Sequence, residues 1–77
     1  MVQAYVLIQT EVGKSSSVAQ NIRDIDGVAA TDEVTGPYDI IAKLEADSVE
    51  ELGTLVLAKV QDVSGITRTL TCTVVHA

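Results

Sequence analysis

Within Val34-Thr35-Gly36-Pro37-Tyr38-Asp39-Ile40 stand the side chains best suited to chemistry, together with the only proline of the chain and one of its two tyrosines. Asp39 offers a carboxylate for a cation. Gly36 leaves backbone amides open to an anion, because no Cβ blocks approach. Tyr38 adds a ring face and a hydroxyl. The same residues also make a plain hairpin turn, with the aspartate accepting backbone hydrogen bonds and the tyrosine packing locally. On residue types alone the plain turn carries more weight. Farther along, Thr67 and Thr69 offer hydroxyls to any pocket nearby, although threonines also simply suit strands and cross-strand pairing.

Other candidates fall away. His76 stands one residue from the end, with no second histidine or neighbouring cysteine to build a metal site, so a solvated terminal side chain is expected. Cys72 is the only cysteine and lies on an expected core face, which reads as a buried, inert thiol. Arg68, on the same strand, is expected to reach solvent or a carboxylate. The acidic residues are dispersed, and no pair has the enclosed setting that acid–base catalysis needs. No cofactor is implied.

These residues need elements to hold them. Val2–Thr10 reads as a strand that is apolar on both faces, with Ala4, Val6 and Ile8 on one and Tyr5 and Leu7 on the other. Ser15-Ser16-Ser17 supplies N-cap hydroxyls for a helix whose Val18, Ile22 and Ile25 share a stripe, ended by Asp26-Gly27. Val28–Thr35 and Ile40–Glu45 read as an antiparallel pair around the turn, the first made an edge by Asp32-Glu33. Ser48 and Glu51 form a capping box for a second helix with a stripe of Val49, Leu52, Val56 and Val60. Leu55 and Leu57 widen that stripe toward burial over much of the circumference, and Gly53 suggests close approach to a neighbouring backbone. Ile66–Val75 is the last strand, with Ile66, Arg68, Leu70, Cys72 and Val74 on one face and a row of threonines on the other.

The order strand–helix–strand, twice, predicts an α+β ferredoxin-like βαββαβ fold: a four-stranded antiparallel sheet with two helices on one face. Ile25-Asp26-Gly27-Val28 and Val63-Ser64-Gly65-Ile66 mark a weak internal repeat within it. Residues 1–77 make one domain, small enough that stability is marginal, and no disulfide framework supports it. The chain is 47% hydrophobic, more than one small core needs, and the second sheet face has no cover. A second copy packed sheet to sheet, a dimeric α/β-barrel type of assembly, provides it. Five Lys and Arg residues and a net charge of −6 argue against direct nucleic-acid contact by this chain alone and against docking on anionic membranes. No segment is apolar and long enough to span a bilayer, and no secretory signal pattern opens the sequence, so a cytoplasmic location is expected.

With the turn placed between strands two and three, the pattern resembles one family. Ala4-Tyr5-Val6-Leu7-Ile8, Val34-Thr35-Gly36-Pro37-Tyr38-Asp39 and Val63-Ser64-Gly65-Ile66-Thr67-Arg68-Thr69 are similar to segments of the effector-binding RAM domain of the Lrp/AsnC transcriptional regulators. The resemblance covers essentially the whole chain and begins at the first strand. It therefore implies a stand-alone effector domain without the helix-turn-helix domain that members usually carry. It further implies a homodimer formed through the sheets, a higher ring such as an octamer or decamer, and an amino-acid effector held between dimers near the turn. Gly36, Tyr38, Asp39, Thr67 and Thr69 are the ligand-binding candidates on that basis, with Asp39 for an ammonium and the amides around Gly36 for a carboxylate. The resemblance brings the site and the plain turn level. The implied function is a non-catalytic effector-binding and oligomerisation module in the transcriptional regulation of amino-acid metabolism, acting through a protein partner such as a full-length regulator of the family. Two alternatives stand beside it: a small dimeric ferredoxin-like enzyme of the monooxygenase or isomerase type, and a purely structural oligomerisation module.

Overall fold

The computed structural model describes residues 1–75; His76 lies outside the described residues. The elements run β1 (Val2–Thr10), α1 (Ser15–Arg23), β2 (Val28–Glu33), β3 (Ile40–Ala46), α2 (Val49–Thr54) with a π-helical continuation (Leu55–Val60), and β4 (Ile66–Thr73). The sheet is antiparallel throughout, in the order β2-β3-β1-β4. This is the expected ferredoxin-like arrangement. β2 and β4 each end two residues before the expected limit.

Alternation decides which face of the sheet is covered. Ala4, Val6 and Ile8 of β1 lie opposite Leu44, Ala42 and Ile40 of β3, and all six are fully buried. Val18, Ala19 and Ile22 of α1 and Leu52, Val56 and Val60 of the second helix close over them in one cluster. The other face carries Tyr5, Leu7, Ile41, Lys43 and Leu70, with Tyr5 and Leu70 exposed at 41% and 48%. In the single chain β1 is therefore buried on one side only.

The internal repeat is real geometry. Gly27 and Gly65 both adopt φ +100°, a conformation that side chains disfavour. The Gly27 carbonyl accepts from Glu45 N and the Gly65 carbonyl from Glu11 N, each at 2.8 Å. A Cβ on Gly27 would lie 2.6 Å from Leu55 Cδ2, and one on Gly65 would lie 2.9 Å from Val18 Cγ2. Each glycine thus lets the start of a strand pass close against the helix of the other half.

Several expectations are corrected. The serines do not cap α1: Lys14 holds the N-cap position without a side-chain bond, while Ser15 and Ser16 Oγ donate to Glu33 Oε1. Ser48 does cap α2, accepting from Glu51 N at 3.1 Å; the Glu51 carboxylate in return accepts from Asp47 N at 3.2 Å, one residue before the cap. Leu57 is 68% exposed, so the second helix is not buried over much of its circumference. Gly53 faces open space, with no backbone of another element among the described residues within contact of a Cβ placed there.

β4 differs most from expectation. Its pairing with β1 slips between Gln9↔Arg68 and Thr10↔Ile66, which leaves Thr67 as an extra residue. Such a bulge breaks strict alternation. Ile66 accordingly packs against the core, while Leu70 and Cys72 turn to the open face opposite Leu7 and Tyr5. Cys72 is exposed, not buried, and Arg68 is exposed as expected. Thr69, Thr71 and Thr73 pair with Ile8, Val6 and Ala4 and lie with them on the helix side of the sheet.

Candidate functional site

The turn from Val34 to Asp39 closes a hairpin, with Val34 N donating to the Asp39 carbonyl at 2.9 Å. It also docks on the end of β1, where Asp39 N donates to the Ile8 carbonyl at 2.9 Å. The Asp39 carboxylate then accepts through one oxygen, Oδ2, from Thr10 N at 2.8 Å and from Thr10 Oγ1 at 3.2 Å. Gln9 Nε2 donates to the Pro37 carbonyl at 3.2 Å. Tyr38 and Asp39 are half-buried, and Gly36 is exposed. The aspartate therefore does what the plain-turn reading asks: it satisfies a backbone donor at the end of a strand. Its second oxygen, Oδ1, takes no part in these bonds.

The same end of β1 holds the threonines. Thr67 Oγ1 donates to the Gln9 carbonyl at 3.1 Å, which fixes the bulged residue. Gln61 Nε2, at the end of the π-helical segment, donates to Thr69 Oγ1 at 3.0 Å. Gln61, Ile66, Thr67, Arg68 and Thr69 line a shallow cavity of about 250 Å³. Gln9 and Thr10 thus tie together two stretches far apart in sequence, the Asp39 turn on one side and the Thr67 bulge on the other. The cavity's lining includes Thr67 and Thr69 but not Gly36, Tyr38 or Asp39. In a single chain the candidates form two adjacent half-sites at one end of the sheet.

Gln61 was missed in the sequence reading, and the reason is local. Leu52, Val56 and Val60 recur every four residues, longer than the 3.6-residue turn, so in an ideal α-helix the stripe drifts by about 40° per step. The widened π segment takes up that drift: Gln61 N donates to the Val56 carbonyl, five residues back, at 3.0 Å. The four-by-four spacing of the apolar residues was the available signal. Among the described residues no cluster of three His, Cys, Asp or Glu is placed to hold a metal ion, and no helix is long and apolar enough to cross a membrane.

Comparison with known proteins agrees with this architecture. The family model of the Lrp/AsnC ligand binding domain matches residues 3–77. The chain is 34% identical over 71 residues to an uncharacterized HTH-type transcriptional regulator of Pyrococcus furiosus, covering 88% of this chain and 47% of that protein. It spans about half the length of the curated relatives it matches. The crystal structure of TTHA0845 from Thermus thermophilus superposes with a TM-score of 0.94 at 32% identity, over 100% of this chain and 96% of the other. A Neisseria meningitidis transcriptional regulator solved as an L-Met complex shares the fold, with a TM-score of 0.85 at 16% identity over 97% of this chain and 50% of the other. The family is a ligand-binding domain of transcriptional regulators and not an enzyme family. By the extent of the family match and the identity to these relatives, the chain belongs to the Lrp/AsnC ligand binding domain family.

Proposed function

We propose that this chain is a non-catalytic effector-binding and oligomerisation module that holds an amino acid where one subunit closes over the end of another's sheet. The observation that carries the reading is the junction at Gln9 and Thr10. Through it the Asp39 turn and the Thr67–Thr69 stretch are both tied to the end of β1. Asp39 Oδ1 is the atom for the ligand ammonium, and the amides about Gly36 serve its carboxylate. Tyr38 borders them. The cavity at the threonines, about 250 Å³, lies below the roughly 300–1,000 Å³ of drug-sized sites and suits a smaller metabolite. The L-Met complex of a regulator with the same fold supports an amino acid as the ligand class.

Assembly begins with a homodimer through the open sheet face and proceeds to a ring, an octamer or a decamer. A ligand bound between dimers stabilises the assembled form by mass action. The output passes to a protein partner, a full-length regulator of the same family, in the cytoplasm, and bears on transcription of amino-acid metabolism. Calorimetry against the twenty amino acids, paired with native mass spectrometry, tests this. Heat with at least one amino acid and a shift in oligomer size on its addition are expected. Absence of both overturns the reading.

A further inference from the structure

Among the described residues β4 is bare on both faces and along one edge. It stands at a margin of the sheet, paired with β1 alone. Leu70 and Cys72 are exposed on the open face. Thr71 and Thr73 are exposed too, although they lie on the helix side. There they line an open groove of about 250 Å³ with Val49, Gly53 and Leu57 of the second helix. The outer edge is equally free. Val74 N donates to the Gln3 carbonyl at 2.8 Å, so in the same register Cys72, Leu70 and Arg68 also turn their backbone groups toward β1. The N–H and C=O groups of Thr69, Thr71 and Thr73 therefore point outward.

The other margin is guarded. β2 carries Asp32 and Glu33, shifts register between Val28 and Ala30, and has its Thr31 carbonyl occupied by Arg23 Nη2 at 3.3 Å. Charges, bulges and covering groups are what keep strand edges from joining. Past its bulge at Thr67, β4 has none of them. From Thr69 to Val75 there is no charge and no proline, and no acidic residue follows Asp62. In a chain of net charge −6, this is an edge along which copies meet without like charges opposed.

We propose that β4 pairs with β4 of a second copy, antiparallel about a two-fold axis at Thr71. A two-fold contact must be self-complementary, and this edge is. With Thr71 opposite Thr71, Thr69 of each copy meets Thr73 of the other, and each position exchanges backbone hydrogen bonds. The threonine side chains pair across the joint on the helix side, between the Val49 and Leu57 walls of the two grooves. The same register carries Val74 and Val75 of each copy past Arg68 and Thr67 of the other. Val75, 87% exposed in the single chain, then borders the cavity lined by Thr67 and Thr69 and closes it. The inference rests on the assembly reading above and deepens it: the open face joins chains into dimers, and this edge joins dimers. A strand edge is a small contact. It holds between dimers because ring closure makes each joint intramolecular, and it does not hold two single chains.

The test is sedimentation of the 77-residue chain beside its Thr71→Lys and Thr71→Pro variants. Thr71→Lys sets two ammonium groups against each other at the axis and leaves the backbone intact. Thr71→Pro removes an N–H that points outward, so the bonds to β1 remain. Both variants should keep the native far-UV spectrum and lose every species larger than a dimer, which the native chain should form. Cross-linking checks the register. In a Cys72→Ser background, Thr71→Cys should join two chains on mild oxidation, because Thr71 faces its own copy at disulfide range, and Thr69→Cys should not. A folded variant that keeps the native size, or equal cross-linking at both positions or at neither, overturns the inference. A native chain no larger than a dimer also overturns it and leaves the edge to an extended segment of another protein. Calorimetry with the amino acids on the native chain judges the effector reading separately, whatever its size.

Discussion

Thr31 is buried, and its hydroxyl has no hydrogen-bond partner among the described residues. Its carbonyl is served, accepting from Arg23 Nη2 at 3.3 Å, but the side chain sits on the core face opposite Ala42. A buried donor left unsatisfied costs about 1–3 kcal/mol, and valine has the same shape without the hydroxyl. Thr31→Val should therefore stabilise the domain by about 1 kcal/mol, seen as a higher urea midpoint at unchanged slope. Asp39 presents the opposite case. Its Oδ2 is the partner of Thr10 N at 2.8 Å, so Asp39→Ala strands that amide in a half-buried position. A loss of about 1–3 kcal/mol in the same unfolding experiment is expected. Asp39→Asn retains an acceptor and should lose less. If Asp39 also holds an ammonium, the asparagine variant should weaken ligand binding by more than its stability loss explains, because it removes the charge and leaves the turn in place.

At the scale of the elements, the two halves of the chain are joined through the glycines that start β2 and β4. Gly27→Ala meets two costs at once: a positive φ and a methyl driven into Leu55 Cδ2 at 2.6 Å. Overpacking alone costs about 1–3 kcal/mol, so Gly27→Ala should be among the more damaging single-atom additions available. Gly65→Ala puts its methyl 2.9 Å from Cγ2 of the fully buried, β-branched Val18, which yields less readily than the end of the partly buried Leu55, so it should cost at least as much. Thermal unfolding of the two variants checks both the sign and the order. Their role was legible in the sequence because helix end, glycine and strand start recur as Ile25–Val28 and Val63–Ile66. The β1 and β3 core faces were legible for the same reason, period-two alternation without interruption. β4 was misread because its bulge breaks the period at Thr67, and a one-residue slip moves side chains to the other face. Cys72 went from expected core to open face by that route alone. The turn motif gave the position of Asp39 but not its bond to Thr10, a contact across 29 residues that depends on where β1 ends. Gly53 has no local explanation: among the described residues nothing outside its own helix lies within contact of a Cβ placed there.

The whole molecule has more apolar surface than one sheet and two helices cover. Leu7 stands between Ile41 and Leu70 in one row across the open face, and Tyr5 stands between Lys43 and Cys72 in the next. Lys43 Nζ lies 5.8 Å from the centre of the Tyr5 ring, close enough for a cation–π contact that leaves the ammonium over the aromatic face. A contiguous apolar row flanked by polar groups marks an interaction site rather than a solvated surface. For a chain of net charge −6, a carboxylate placed at the β4 end of that row sets like charges against each other across a two-fold contact. Leu70 is the position to use, since it is 48% exposed and its loss opens no core cavity. Leu70→Glu should keep the far-UV spectrum of the native fold and sediment as a single chain, whereas the native protein is expected to sediment as a dimer or larger at the same concentration. Its melting temperature should then no longer rise with protein concentration, as that of a dissociating assembly must. A variant that sediments with the native protein would place the dimer contact elsewhere, and the open face would need another occupant.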